Sequence, residues 1–432
     1  MTPFGTDCEG FHRRDFLRLG SAGLLGLGLA DLLRREASAG ADRKKATSVL
    51  MVWLAGAPST IDIWDLKPDA PDHIRGEFKP ITTSARGVRI CEFMPKTAKV
   101  MHHASLVRSL HHNIPEHGVG TQYMTTGNRP NPSLDYPGLG SLAARLLPAR
   151  AGVPSYVAFQ RTVGPGYLGT SYAAFEVEGE PGRGRLRVPG MSLPKDFSLD
   201  ELADRDRLRN TFDAAFKALD KTEMPASLDK FHQQALDILR SDKTRQAFDL
   251  NREPKKVRDA YGPFPFGQSA LVARRLIEAG VRFVTIGLGG WDTHVNNFQV
   301  LRDNLLPQLD SVLAALVGDL ADKGLLDSTL VYCAGEFNRT PRINGSAGRD
   351  HWARSMAVFL AGGGIRKGHV HGSTDAHGMA PADAPCSPDD VAATLFQALG
   401  VEPHHEVQTL TGRPMAIFRA GEAIKELLTY SV

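Results

Sequence analysis

Acids and imidazoles gather in a few short stretches of this sequence. Asp62 and Asp65 come soon after one apolar run. His111, His112, Glu116 and His117 follow a second, Trp291-Asp292-Thr293-His294 a third, and Glu336 a fourth, while Asp350 and His351 stand just before a fifth. Mixed imidazole and carboxylate side chains suit one or two divalent metal ions, with zinc, manganese, iron or calcium as candidates. A pair of such ions polarises ester oxygens and activates water for attack on phosphate or sulfate esters. On residue type and placement, Asp62, Asp292, His294, Glu336 and His351 are the candidate metal ligands. His117 is a candidate ligand or proton donor, and Arg339 a candidate anion binder. Neighbouring residues have plainer readings. Asp65 fits a turn cap, His102 and His103 the surface ahead of a strand, and His111 and His112 a loop. Asp350 fits a hydrogen-bond partner that orients His351. Gly362 to Gly364 reads as a turn rather than a phosphate cradle, and His369, His371 and His377 as a loose loop whose spacing matches no metal template.

These residues need a frame that brings them to one rim. Ser48 to Leu54, Ala104 to Leu110, Ser155 to Phe159, Val281 to Ile286, Thr329 to Ala334 and Met356 to Ala361 are apolar runs of strand length. Helical patterns lie between them. Phe266 to Ala279 is one, Val391 to Leu399 another, and Phe298, Leu301, Leu305, Leu309, Val312, Leu316 and Leu320 recur at spacings of three and four. Alternating strands and helices predict an α/β fold, a mostly parallel sheet with helices on both faces. Ligands of such sheets bind beyond the carboxyl ends of the strands. The stretch 161–265 is rich in Gly and Pro and then in charge, with Leu228, Phe231, Ala235 and Leu239 at helical spacing. It reads as a helical and loop insertion packed against the sheet.

The chain has 432 residues, 42% hydrophobic and 23% charged, with a net charge of +3. That excludes a disordered chain or a coiled coil and provides no basic footprint for nucleic acid. The longest apolar stretch, Ser21 to Ala30, is too short for a transmembrane span. His12-Arg13-Arg14-Asp15-Phe16-Leu17-Arg18 resembles the twin-arginine export motif, and Ala37-Ser38-Ala39 is an A-x-A cleavage pattern. Residues 1–39 therefore read as a signal peptide and 40–432 as a single domain, exported or periplasmic. Cys91, Cys333 and Cys386 are an odd, widely spaced set, which reads as buried thiols with room for one bridge at most.

Gly324-Leu-Leu-Asp-Ser-Thr-Leu-Val-Tyr-Cys-Ala-Gly-Glu336 resembles the sulfatase segment "GL-DNTLVVFTSDHG". His351 with the strand and glycines after it resembles the late histidine of the alkaline phosphatase superfamily. Ser387 to Gly400 is similar to the sulfatase "TDIAPTLLDLAG" helix, and Thr126-Gly-Asn-Arg-Pro130 to "LTGRYP". Gly289 to His294, Gly335 to Pro341 and Gly348 to Trp352 resemble the signature stretches of a twin-arginine-exported bacterial family, domain of unknown function 1501. The resemblance implies an alkaline phosphatase or sulfatase-like scaffold with a metal centre. It also exposes a departure. His117 stands where sulfatases and phosphatases carry a Cys, Ser or Thr nucleophile, and Phe337 where a His is expected after the acid. The expected function is an exported metal-dependent hydrolase of sulfate or phosphate esters working through metal-bound hydroxide, on small-molecule or glycan esters. The alternative is a non-catalytic binding protein on the same scaffold that recognises sulfated or phosphorylated glycans.

Overall fold

β1, Ser48–Leu54, is buried at every position, as an unbroken apolar run in a doubly covered sheet must be. In this computed structural model, which describes residues 46–147, 152–177 and 241–429, it is the centre of an eight-stranded sheet. The other strands are β2 Ala104–Leu110, β3 Tyr156–Ala158, β4 Phe175–Glu176, β5 Phe283–Leu288, β6 Thr329–Ala334, β7 Met356–Gly362 and β8 His369–His371. Their spatial order is β8-β2-β7-β6-β1-β5-β3-β4. The signal stretch and most of the expected insertion, including Leu228 to Leu239, lie outside the described residues.

Alternate residues along the strands face opposite ways, so the sheet feeds two cores. Leu50, Val52, Val284, Ile286 and Phe359 pack under α3, Pro265–Ala279, and α4, Leu306–Asp322. Val49, Met51, Tyr332, Val358 and Leu360 pack under α1, His117–Thr126, α2, Leu139–Leu146, and α5, Pro388–Ala398. The long amphipathic stretch from Phe298 to Leu320 is one rod with a flaw. A π turn spans Leu301–Leu305 just before Pro307, whose missing N–H interrupts the ladder. A box of reciprocal hydrogen bonds between Ser387 and Asp390 opens α5. Among the described helices none is long and apolar enough to cross a membrane.

The sheet is parallel except at β7, which runs antiparallel to both β2 and β6. That reversal decides which residues share a rim. The loops leaving β1, β2, β5 and β6 emerge at one end of the sheet, and the segment entering β7 arrives at that same end. His351 therefore precedes its strand, where the other candidate residues follow theirs.

Candidate metal centre

The loop after β1 turns sharply at Gly56, whose φ of +110° suits glycine. A Cβ there would lie 2.6 Å from the backbone nitrogen of Asp292. The bare backbone thus lets the loop after β5 lie directly on the loop after β1. Fully buried Trp291 anchors that second loop and carries Asp292 to the rim. β6 delivers Glu336, almost wholly buried, whose Oε1 accepts from the Gly56 N–H at 2.9 Å. The short strand Asn338–Arg339 pairs antiparallel with His351–Trp352, and this ribbon sets His351 beside them. His117 is the first residue of α1. Glu116 caps that helix by accepting from Gly118 N at 2.9 Å and Val119 N at 2.7 Å.

Four of the expected residues converge. His117, Asp292 and His351 each place one donor atom within 4.8 Å of the other two. His117 Nε2 lies 3.5 Å from Asp292 Oδ2 and His351 Nε2 3.4 Å from Asp292 Oδ1. His294 Nε2 lies 3.1 Å from Asp292 Oδ1 and 3.0 Å from His351 Nε2. Donor atoms around a tetrahedral zinc, each about 2.0–2.1 Å from the ion, sit roughly 3.3 Å apart. The observed distances of 3.0–3.5 Å are compatible with such a set.

Hydrogen bonds on the far side of each ring assign the tautomers. His351 Nδ1 faces the Pro115 carbonyl at 2.9 Å, and a carbonyl only accepts, so Nδ1 carries the proton. His294 Nδ1 donates in the same way to Asp350 Oδ1 at 2.8 Å, and His117 Nδ1 to Glu336 Oε1 at 2.7 Å. The His294 hydrogen bond holds the Asp350 carboxyl below its usual range and so keeps it an acceptor. When neutral, all three rings turn an Nε2 lone pair toward the Asp292 carboxylate. Lone pairs and a carboxylate facing one another repel unless a cation or a ring proton lies among them. His117 Nε2 is in addition buried with no hydrogen-bond partner. Imidazoles braced at Nδ1 by oxygen acceptors are the usual support of a metal ligand set. The residues present therefore fit a divalent metal.

Arg339 differs from the expectation of a substrate-binding group. Its side chain is fully buried, with Nε donating to Ala57 O at 2.8 Å and NH2 to Gly56 O and Asp292. It is a strut for Asp292. Burial opposes ionisation of that carboxyl, but the Arg339 hydrogen bond and charge outweigh it and hold its pKa below the usual value. Glu336 contacts His117 through Oε1 and thereby orients the ring, while Oε2 is buried and unpaired. Phe337 occupies the place where a histidine was expected. Its ring packs 5.1 Å from that of His117 and 4.8 Å from that of His351.

Asp62 is not brought to the cluster. It lies in the helical turn Thr60–Ile63, where Arg349 grips it with two bonds of 2.8 Å. Ser59 Oγ donates to it at 2.6 Å and Asn297 Nδ2 at 2.9 Å, so its lone pairs are taken by protein donors. Asp65 is likewise engaged, by Lys67 and Thr374. Arg349, Asn297, Gly56 and the Pro115 carbonyl were not singled out in the sequence. Only Arg349, flanking Asp350 and His351, carried a signal there. His112 is buried, and burial pushes its pKa down to about 4 while Nε2 contacts the Glu336 carbonyl at 2.8 Å. Its other side lines an open cavity of about 610 Å³ shared with His111, Asn113, Tyr123, Arg129 and Arg354. Cys91, Cys333 and Cys386 are free and buried, so they form no bridge with one another, and burial pushes the thiols of Cys91 and Cys386 up to about 12.

The chain belongs to the DUF1501 family, proteins of unknown function, whose model matches residues 46–428. No curated protein matches it. Among solved structures it is similar to Ps i-CgsB in complex with k-i-k-neocarrahexaose, at 10% identity and a TM-score of 0.41, over 83% of this chain and 72% of that one. It is similar to the PsFucS1 sulfatase from Pseudoalteromonas sp., at 13% identity and a TM-score of 0.37, over 85% and 70%. It is also similar to the phosphonate monoester hydrolase SpPMH from Silicibacter pomeroyi, at 11% identity and a TM-score of 0.35, over 83% and 74%.

Proposed function

We propose that this DUF1501 protein is an exported, metal-dependent hydrolase of phosphate or sulfate esters, with His117, Asp292, His294 and His351 as the metal-holding set. The observation that carries the reading is the tautomer pattern. Three imidazoles, each fixed as an Nδ1–H donor on its outer side, turn Nε2 toward one carboxylate. Their side chains are a quarter to two-fifths exposed, so a substrate can reach them, whereas the bracing Glu336 and Arg339 are buried. A divalent ion held there would supply Lewis acidity toward an ester oxygen.

The chain's own residues do the rest. Arg339 keeps Asp292 ionised and stationary. Glu336, Asp350 and the Pro115 carbonyl keep the three rings in the ligand tautomer. Arg129 and Arg354 line the open cavity beside His112 and are the cationic candidates for the anionic part of a substrate. The head of α1 offers an imidazole in place of a hydroxyl or thiol, so hydrolysis by water, without a covalent enzyme ester through Ser or Cys, follows from this set. The twin-arginine stretch and A-x-A pattern support export.

A second reading, a metal-holding binding protein for sulfated or phosphorylated glycans, is favoured by the missing hydroxyl nucleophile. One experiment separates the two. The metal-loaded protein is screened against aryl sulfates, phosphate mono- and diesters and sulfated polysaccharides, alongside His117→Ala. Turnover abolished by chelator and lowered sharply by His117→Ala supports the hydrolase. Saturable binding with background turnover on every class overturns it.

A further inference from the structure

Part of the histidine-rich stretch 369–377 is strand rather than loop: it forms β8, the edge strand beside β2. His369 and His371 are two residues apart on a strand, so both side chains leave the same face. They pair in register with Ser105 and Val107, and Val107 belongs to the core under α1, α2 and α5. On that face the turn Lys425–Leu427 is fastened to the sheet. Leu427 and Leu428 are buried in the same core, and Arg366 N donates to Leu427 O at 2.7 Å. The turn thus carries Glu426 to the two rings, with Oε2 3.2 Å from His371 Nδ1. One donor atom from each of the three lies within 4.8 Å of the other two. His369 Nε2 is buried with no hydrogen-bond partner, an arrangement that costs free energy unless something binds it.

We propose that His369, His371 and Glu426 form a second divalent-metal site, for zinc or a similar transition ion, that clamps the C-terminal turn to the edge of the sheet. Two imidazoles and a carboxylate are a zinc-type donor set that leaves one position for water. A tetrahedral ion would draw the donors to roughly 3.3 Å from one another. Glu426, with 68% of its side chain exposed, can supply that closure by rotating. The site is separate from the proposed catalytic centre. It begins opposite Ser105 at the amino end of β2, whereas His111 and His112 follow the carboxyl end, roughly 17 Å away along the strand. The clamp would also cover part of an edge strand, which otherwise invites pairing with another chain.

Zinc chloride is the probe, titrated calorimetrically into the metal-stripped full mature chain, with thermal unfolding followed in parallel. The wild type, His369→Ala, Glu426→Gln and His351→Ala are compared. We expect His369→Ala to lose one equivalent of zinc together with the zinc-induced rise in unfolding temperature. Glu426→Gln, at an exposed position that leaves folding intact, should weaken the same equivalent by about tenfold or more. His351→Ala should keep it. Zinc stoichiometry and affinity unchanged in both His369→Ala and Glu426→Gln, or no zinc uptake by the wild type, would overturn the proposal. Uptake lost with His369→Ala but indifferent to His351→Ala would uphold this site while refuting the proposed catalytic centre.

Discussion

Replacing Asp62 with Ala separates a structural acid from a metal ligand. In the folded chain Asp62 and Arg349 are both buried, 2% and 0% exposed, and joined by two bonds of 2.8 Å. Arg349 also donates to Thr340 O at 3.0 Å, to Pro341 O and to Ile74 O at 2.9 Å, so its guanidinium cannot follow the lost carboxylate to solvent without breaking the loop around it. Removing one partner of a buried pair leaves an uncompensated charge and costs about 3–5 kcal/mol. Ser59 and Asn297 lose an acceptor at the same time. For a domain of this size that loss lowers the unfolding temperature by roughly 4–6 °C. Because the two residues act as one unit, Asp62→Ala with Arg349→Ala should cost little more than either alone. The assay is chemical and thermal unfolding with and without chelator, plus metal analysis. The destabilisation should be the same in both conditions, and the metal content of the folded variant should equal that of the wild type. A stability loss below about 1 kcal/mol, or lost metal in a variant of unchanged stability, would refute the placement of Asp62 as a strut.

Glu336→Gln puts an amide, able to accept or donate, where a carboxylate that only accepts now fixes His117, and should weaken metal binding by about 10–100-fold with the fold retained; metal titration checks it. His112 should make stability depend on pH. Its pKa is about 4 in the fold against 6.5 as the ordinary value, so its contribution is complete above pH 6.5 and lost as the pH falls toward 4. His112→Asn should flatten that part of the stability–pH curve, read by denaturant unfolding at each pH. Arg13→Lys with Arg14→Lys should hold the full-length precursor in the cytoplasm, whereas the wild-type product should begin near Gly40; fractionation and N-terminal sequencing check both.

Much of the frame was legible because buried parallel strands leave unbroken apolar runs. β1, β2 and β6 match their predicted ranges, and β5 and β7 differ by a residue or two at their ends. The convergence of His117, Asp292, His294 and His351 was legible for the same reason, since residues at strand ends share a rim. What the chain order hides is direction and depth. Asp62 follows β1 as closely as a ligand would, but the helical turn Thr60–Ile63 sends its side chain beneath the loops toward Arg349. The backbone of Gly56 takes the place at the rim instead. Arg339 and Glu336 were recognised as site residues, but their roles as braces depend on hydrogen bonds that no spacing encodes. His369, His371 and Glu426 meet only because a three-residue edge strand lies beside a turn far along the chain. Neither element is long enough to leave a periodic pattern.

The central claim is that the Nε2 atoms of His117, His294 and His351 face a divalent metal. The direct measurement is ¹⁵N NMR of the histidine side chains, with metal analysis on the same sample before and after chelation. The account predicts at least one bound divalent ion, protonated Nδ1 and metal-shifted Nε2 signals for these rings, and loss of the shift on chelation. A metal-free protein with a proton shared between His294 and His351, and spectra indifferent to chelator, would contradict it.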